Sequence, residues 1–158
     1  MAVVGVTGHS NLTDRSAEVV HREIVNVLRP RANGLVGMTC LARGADQVFA
    51  DAVLDLGGAL EVIIPAKDYF SNIADPISRR RCDAYLNAAT STVTLDFDTS
   101  GGPAYLAASR YLVDHCDLLL AVWDGSSASG TADAVDYARK RGRSTVVVWP
   151  RGAQRVST

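Results

Sequence analysis

A three-layer α/β domain of the Rossmann-like type, with a mostly parallel sheet of about six strands, is the architecture this sequence predicts. Three observations carry it. Short apolar runs alternate with amphipathic stretches of one to two dozen residues along the chain. One run, Leu118 to Trp123, is apolar without interruption, as a parallel strand covered on both faces must be. Glycine-containing loops follow several of the runs. At 158 residues the chain is long enough for one domain with its own core, so 1–150 reads as a single domain. The remainder, 151–158, reads as a tail free to fray.

The elements follow in order. Ala2 to Val6 is a strand, leading into the loop Thr7-Gly8-His9-Ser10-Asn11. Thr13 or Asp14 can cap the helix that follows, whose stripe is Ala17, Val20, Ile24, Val27 and Leu28, before Pro30 and Gly34. Leu35 to Thr39 is the second strand; it runs through Arg43-Gly44 into a helix with Ala45, Val48, Phe49, Ala52, Val53 and Leu56 on one face, closed by Gly57-Gly58. Leu60 to Ile64 is the third. Pro76 opens a helix to about Ala89, Thr92 to Leu95 is a weaker strand, and Pro103 opens a helix to His115. After the Leu118–Trp123 strand, Thr131 is placed to cap a helix spaced by Ala132, Val135 and Ala138, and a last strand ends at Trp149.

Composition narrows the function classes. Sixteen basic residues against 17 acidic give a net charge of −1, so nothing draws the chain as a whole to nucleic acid or to an anionic membrane, and a nucleic-acid partner is not expected. No run reaches the roughly 20 apolar residues that span a bilayer, and no signal core opens the sequence, so a cytoplasmic protein is expected. Cys40, Cys82 and Cys116 are odd in number and far apart, reading as buried thiols with no metal site. No cofactor is called for. An exposed sheet edge or apolar helix face would favour homo-oligomers of unset number.

In open parallel sheets ligands bind outside the carboxyl ends of the strands, where strand order reverses. That rule makes the candidates countable: Gly8, His9 and Ser10; Arg43, Gly44 and Asp46; Pro65 and Lys67; Asp124, Gly125, Ser129, Gly130 and Thr131. A helix start such as Gly130-Thr131 presents free N–H groups and the positive end of a dipole, and holds an anion without a basic side chain. His9 suits a phosphate, acid–base work or simply fixing its loop. Arg43 suits a bidentate phosphate contact or a salt bridge to Asp46. Arg79, Arg80 and Arg81 point about 100° apart on a helix and read as solvated. Arg110 and Asp114 form an i, i+4 pair. Trp123, Trp149 and Tyr137 read as packing residues.

The segments VTGHSNL, LARGAD and RYLVDHCDLLLAVWDG followed by SGT and DYA resemble the SLOG superfamily, the Rossmann-like group of DprA and the LOG proteins, nearest its YpsA-like branch. The resemblance runs from Val3 to about Val148 and implies a nucleotide or nucleotide-derived ligand, with phosphate and ribose held at Gly8, His9, Ser10, Gly130 and Thr131. One departure argues against LOG-type hydrolysis: LOG enzymes carry PGGxGTxxE, and the glutamate position is Ala134 here, Asp133 lying about 100° away on the helix. A weaker likeness to nucleoside 2-deoxyribosyltransferases points to carboxylate chemistry at Asp124, Asp133 or Asp46. The expectation is therefore a nucleotide- or phosphoribosyl-binding domain acting as sensor or carrier. The alternative is a nucleotide N-glycosidase using Asp124 and Asp133.

Overall fold

The computed structural model describes residues 2–127 and 129–156. Its elements are β1 (Val3–Gly8), α1 (Asp14–Leu28) with a 3-10 turn at Arg29–Arg31, β2 (Val36–Thr39), α2 (Ala45–Asp55), β3 (Ala59–Ile64) and α3 (Pro76–Ala88). Then come β4 (Ser91–Thr94), α4 (Gly102–His115), β5 (Leu118–Val122), α5 (Gly130–Lys140) and β6 (Ser144–Val148). The six strands form one sheet in the order β4-β3-β2-β1-β5-β6, every neighbouring pair parallel. The chain thus walks outward from β1 to β4 and then returns to lay β5 against β1. That junction is the reversal point at which such sheets take ligands.

Each face of the sheet is closed by the stripe that periodicity predicts. Val20, Ile24 and Leu28 of α1, with Phe49 and Val53 of α2, bury against Val4, Val6, Leu60 and Leu120 on one side. Ala108, Leu112 and Val113 of α4, with Ala138 of α5, bury against Met38, Ile63 and Leu119 on the other. Each large side chain so buried contributes about 1.5–3 kcal/mol. The central strand admits α4 closely because Gly5 has no side chain; a Cβ there would stand 2.3 Å from Leu112 Cδ2. Cys82 and Cys116 are buried thiols, as expected, whereas Cys40 is only partly buried.

Several expectations are corrected. β1 runs two residues beyond Val6, because Thr7 and Gly8 pair in register with Ala121 and Val122. Gly8 is therefore a strand residue, and β5 stops at Val122. Of the two candidate caps for α1, Thr13 serves, its Oγ1 accepting from Ser16 N at 3.2 Å. Arg110 does not reach Asp114; its guanidinium lies 4.8 Å from the centre of the Tyr137 ring, and Asp114 accepts instead from Tyr137 Oη at 3.0 Å and Arg141 Nε at 3.1 Å. The tail is docked as far as Val156. Thr13 N donates to Gln154 O at 3.2 Å, Gln154 N to Ser16 Oγ at 2.7 Å and Val156 N to Asn11 O at 2.6 Å, while Arg155 bridges Leu12. These are mostly backbone bonds, which leave no hydrophobic signature in the sequence. Ser157 and Thr158 lie outside the described residues. Among the described residues no helix is long and apolar enough to cross a membrane.

Candidate functional site

A cavity of about 470 Å³ opens beyond the carboxyl ends of β1, β2 and β3 and is closed by the start of α5, beside the reversal point. One wall is the end of β1 and its loop, Gly8, His9 and Ser10; facing it is the start of α5, Ser129, Gly130 and Thr131. The floor is apolar, with Leu112, Val113 and Leu119, and the mouth is flanked by Tyr69 and Tyr105.

The β1 wall is held by backbone contact with the β2–α2 loop. His9 N donates to Val122 O at 3.2 Å and Ala45 N to His9 O at 3.1 Å. Gly44, at φ 77° and ψ −123°, lets this happen: a Cβ there would lie 2.6 Å from His9 O and would strain a conformation that is nearly glycine's alone. Gly8 is required for space, since its Cβ would come within 2.4 Å of Ala45 Cβ and 2.8 Å of Val122 Cβ. The same loop turns at Leu41, a buried residue at φ 60° whose N–H donates to Thr39 Oγ1 at 3.0 Å.

Across the reversal point the His9 ring, 2% exposed, meets Asp124. Nε2 lies 3.0 Å from Asp124 Oδ1 and 3.2 Å from Asp124 N. With its proton on Nε2 the ring donates to the carboxylate; in the other tautomer Nε2 accepts from the backbone N–H. Trp149 packs edge-on against the ring, 5.7 Å between centroids. Hydrogen bonding from Ser126, whose N–H lies 2.9 Å from Oδ1, holds the Asp124 carboxyl well below the usual range, and His9 adds to the effect. Arg155 closes the constellation from the tail, Nη1 at 3.4 Å from Asp124 Oδ2 and Nε donating to Asn11 Oδ1 at 2.9 Å.

α5 begins one turn from this cluster. Ser129 is its N-cap, in extended backbone with Oγ accepting from Ala132 N at 3.1 Å; Thr131, expected in that place, is a buried residue of the first turn. Among the described residues neither Gly130 N nor Thr131 N has an acceptor, and no atom lies within 4 Å of where a Gly130 Cβ would stand. Two N–H groups at the positive end of a helix are thus left without a protein acceptor among the described residues, beside a threonine that lines the cavity.

The remaining charged group of the described cavity lining, besides Arg155 and the imidazole, is Asp46. It is buried, and Oδ2 accepts from Ala42 N at 3.2 Å. Burial pushes its pKa up to about 7, against the opposing pull of the Ala42 and Cys40 N–H groups. Burial, and then the Asp46 charge, raise the Cys40 thiol and the Tyr69 phenol as well.

The sequence-derived candidates divide accordingly. Gly8, His9, Ser10, Asp46, Ser129, Gly130 and Thr131 line the cavity, whereas Arg43, Gly44 and Gly125 are not part of its lining. Arg43 is exposed, makes no ion pair with Asp46 among the described residues, and borders a second cavity. Gly44 holds the two loops together, and Gly125 turns its loop at φ 87° with no neighbour within 4 Å of a Cβ. Asp124 and Asp133 do not line the cavity either, while Ala134 does. Arg155, Tyr69, Tyr105 and Ser109 line it without having been singled out. Tyr105 and Ser109 are one turn apart on α4, the single signal that could have paired them.

No family model and no curated protein matches the sequence. Among solved structures the chain is similar to DNA processing protein A from Streptococcus pneumoniae, with TM-score 0.73 and 19% identity over 96% of this chain and 52% of that one. It is also similar to DNA processing protein A from Helicobacter pylori, described for its mode of binding single-stranded DNA, with TM-score 0.69 and 18% identity over 96% and 66%. A third likeness is to the molybdenum cofactor carrier protein of Chlamydomonas reinhardtii, with TM-score 0.60 and 15% identity over 92% and 75%. The chain spans about half the length of the pneumococcal protein. It has the Rossmann-like α/β fold of these proteins. The expectation against a nucleic-acid partner finds no support in them.

Proposed function

We propose that the crevice binds a nucleotide or phosphoribosyl-type ligand, and that the chain works as a sensor or carrier. The observation that carries this is the start of α5, where Gly130 and Thr131 offer N–H groups without acceptors among the described residues. A phosphate there would be held by backbone dipoles and the Thr131 hydroxyl. The apolar floor and the rings of Tyr69 and Tyr105 suit a sugar and a heterocyclic base. That one structural neighbour is a molybdenum cofactor carrier agrees with a binding role.

N-glycosidic cleavage is the second reading, and Asp124 and Asp133 do not favour it from outside the cavity. Asp46, which lines the cavity with a pKa near 7, is the carboxyl placed for proton transfer. A thermal-shift screen of nucleoside mono- and diphosphates, with chromatography of the same mixtures, tests both readings. A ligand at a hundred times its Kd should stabilise the fold by about 2.7 kcal/mol. Stabilisation without free base supports the carrier or sensor; base release that disappears in Asp46→Asn supports the enzyme; no shift with any nucleotide overturns both. A salt-sensitive mobility shift of single-stranded DNA would instead give the crevice a nucleic-acid partner.

A further inference from the structure

A second cavity, of about 350 Å³, lies beside the first at the ends of β2 and β3. It is formed by the β2–α2 loop, the segment after β3 and the start of α3, and its lining includes Arg43, Gln47, Phe70 and Ile73. Ala42 and Tyr69 belong to both linings, so the two cavities are separated by one alanine and one phenol ring. Across that divide runs a row of edge-to-face rings. Tyr105, at the mouth of the first cavity, is 6.2 Å from Tyr69, and Tyr69 is 4.9 Å from Phe70, which lines the second.

The lining of the second cavity carries one cation, Arg43, and one carboxylate, Asp75. Arg43 is exposed and forms no ion pair within 4 Å among the described residues. Asp75 is the acidic group of the lining, and its oxygens are engaged in the α3 cap, accepting from Ile77 N at 3.4 Å, Ser78 N at 3.2 Å and Ser78 Oγ at 2.8 Å. Gln47 is turned inward, Nε2 donating to Leu41 O at 3.2 Å, and Arg43 is the cation of the lining, held in no ion pair within 4 Å among the described residues.

From the shared wall, the aromatic row and the unpaired Arg43, we infer that the ligand is a two-part molecule. It carries two ring-bearing units joined by a phosphodiester or pyrophosphate, one unit in each cavity and the anionic linker against Arg43. This rests on the nucleotide reading of the first cavity. Each cavity alone is large enough for a nucleotide-sized unit, and together they fall within the usual range of small-molecule sites.

Calorimetry with nucleoside monophosphates and with two-part probes (ADP-ribose, NAD, linear and cyclic dinucleotides) tests the inference on the whole chain. At least one two-part probe should bind tenfold or more tightly than its mononucleotide half. Ala74→Trp, which fills the second cavity from an exposed position, and Arg43→Gln should each erase that gain and leave the mononucleotide Kd within twofold. Unchanged melting temperatures would establish that both variants fold. Mononucleotide binding with no gain from any second unit, or a gain that survives both variants, overturns the two-part ligand while the first cavity stands. Absence of binding by every probe overturns both.

Discussion

His9 and Asp124 join the ends of β1 and β5 through a contact of 3.0 Å between Nε2 and Oδ1, the imidazole buried and the carboxylate a quarter exposed. Arg155 meets the same carboxylate from the tail at 3.4 Å, but is itself 36% exposed. Two bonds to one group thus sit in different solvent environments. Double-mutant cycles should give a coupling of about 1.5–3 kcal/mol for His9 with Asp124, as for buried hydrogen bonds to charged groups. For Arg155 with Asp124 they should give less than about 1 kcal/mol, falling further in salt. Equal couplings would mean that the histidine does not organise this junction.

The two loops of the β1 wall depend on Gly44. Gly44→Ala should cost more than about 3 kcal/mol in urea denaturation, since strain and collision with His9 O add. Gly57→Ala, at φ 74° with no atom within 4 Å, has strain alone and should cost about 1 kcal/mol. If both variants lose the same amount, close approach of the loops is not what the glycine provides.

Asp46 makes stability depend on pH in an unusual direction for an acid. Its carboxyl rises from an ordinary 3.8 to about 7 in the folded chain, so the native state binds a proton that the unfolded chain has released between those values. The stabilising effect of that proton is complete below about pH 4 and disappears as pH climbs through 7, amounting to at most on the order of 4 kcal/mol. Asp46→Asn keeps an oxygen for Ala42 N and should flatten the fall measured by chemical denaturation from pH 5 to 8. A slope unchanged in the variant would show that Asp46 titrates normally.

Thr131→Val preserves shape while removing a hydroxyl at the start of α5. Phosphorylated ligands should bind roughly 2- to 13-fold more weakly, the equivalent of one hydrogen bond at about 0.5–1.5 kcal/mol. Their unphosphorylated nucleosides should be unaffected. Identical losses for both kinds of ligand would move the phosphate away from this helix.

The elements and the layers are legible in the sequence because each element carries its period, as in the stripe of α1 and the unbroken run of β5, whereas the strand order leaves no such mark. The α5 wall was legible for the same reason, a small-residue turn between a buried strand and an amphipathic helix. Other features left no trace or a misleading one. Arg155 reaches the site through backbone bonds of the tail to Asn11 and Thr13, which any sequence can make. Gly44 looked like a ligand residue because a glycine required by a neighbouring backbone and one required by a phosphate read alike. Tyr69 was hidden between β3 and α3, where no periodicity marks which ring turns toward the cavity.

The contact of Gly44 with His9 also fixes when the crevice becomes ordered. Because these loops are locked by the same bonds that complete the sheet, the freedom they give up is lost as the chain folds and not when a ligand arrives. A small molecule meeting this wall finds a shape already set, so it can bind with little rearrangement, and differences among ligands should show in how long they stay more than in how fast they enter.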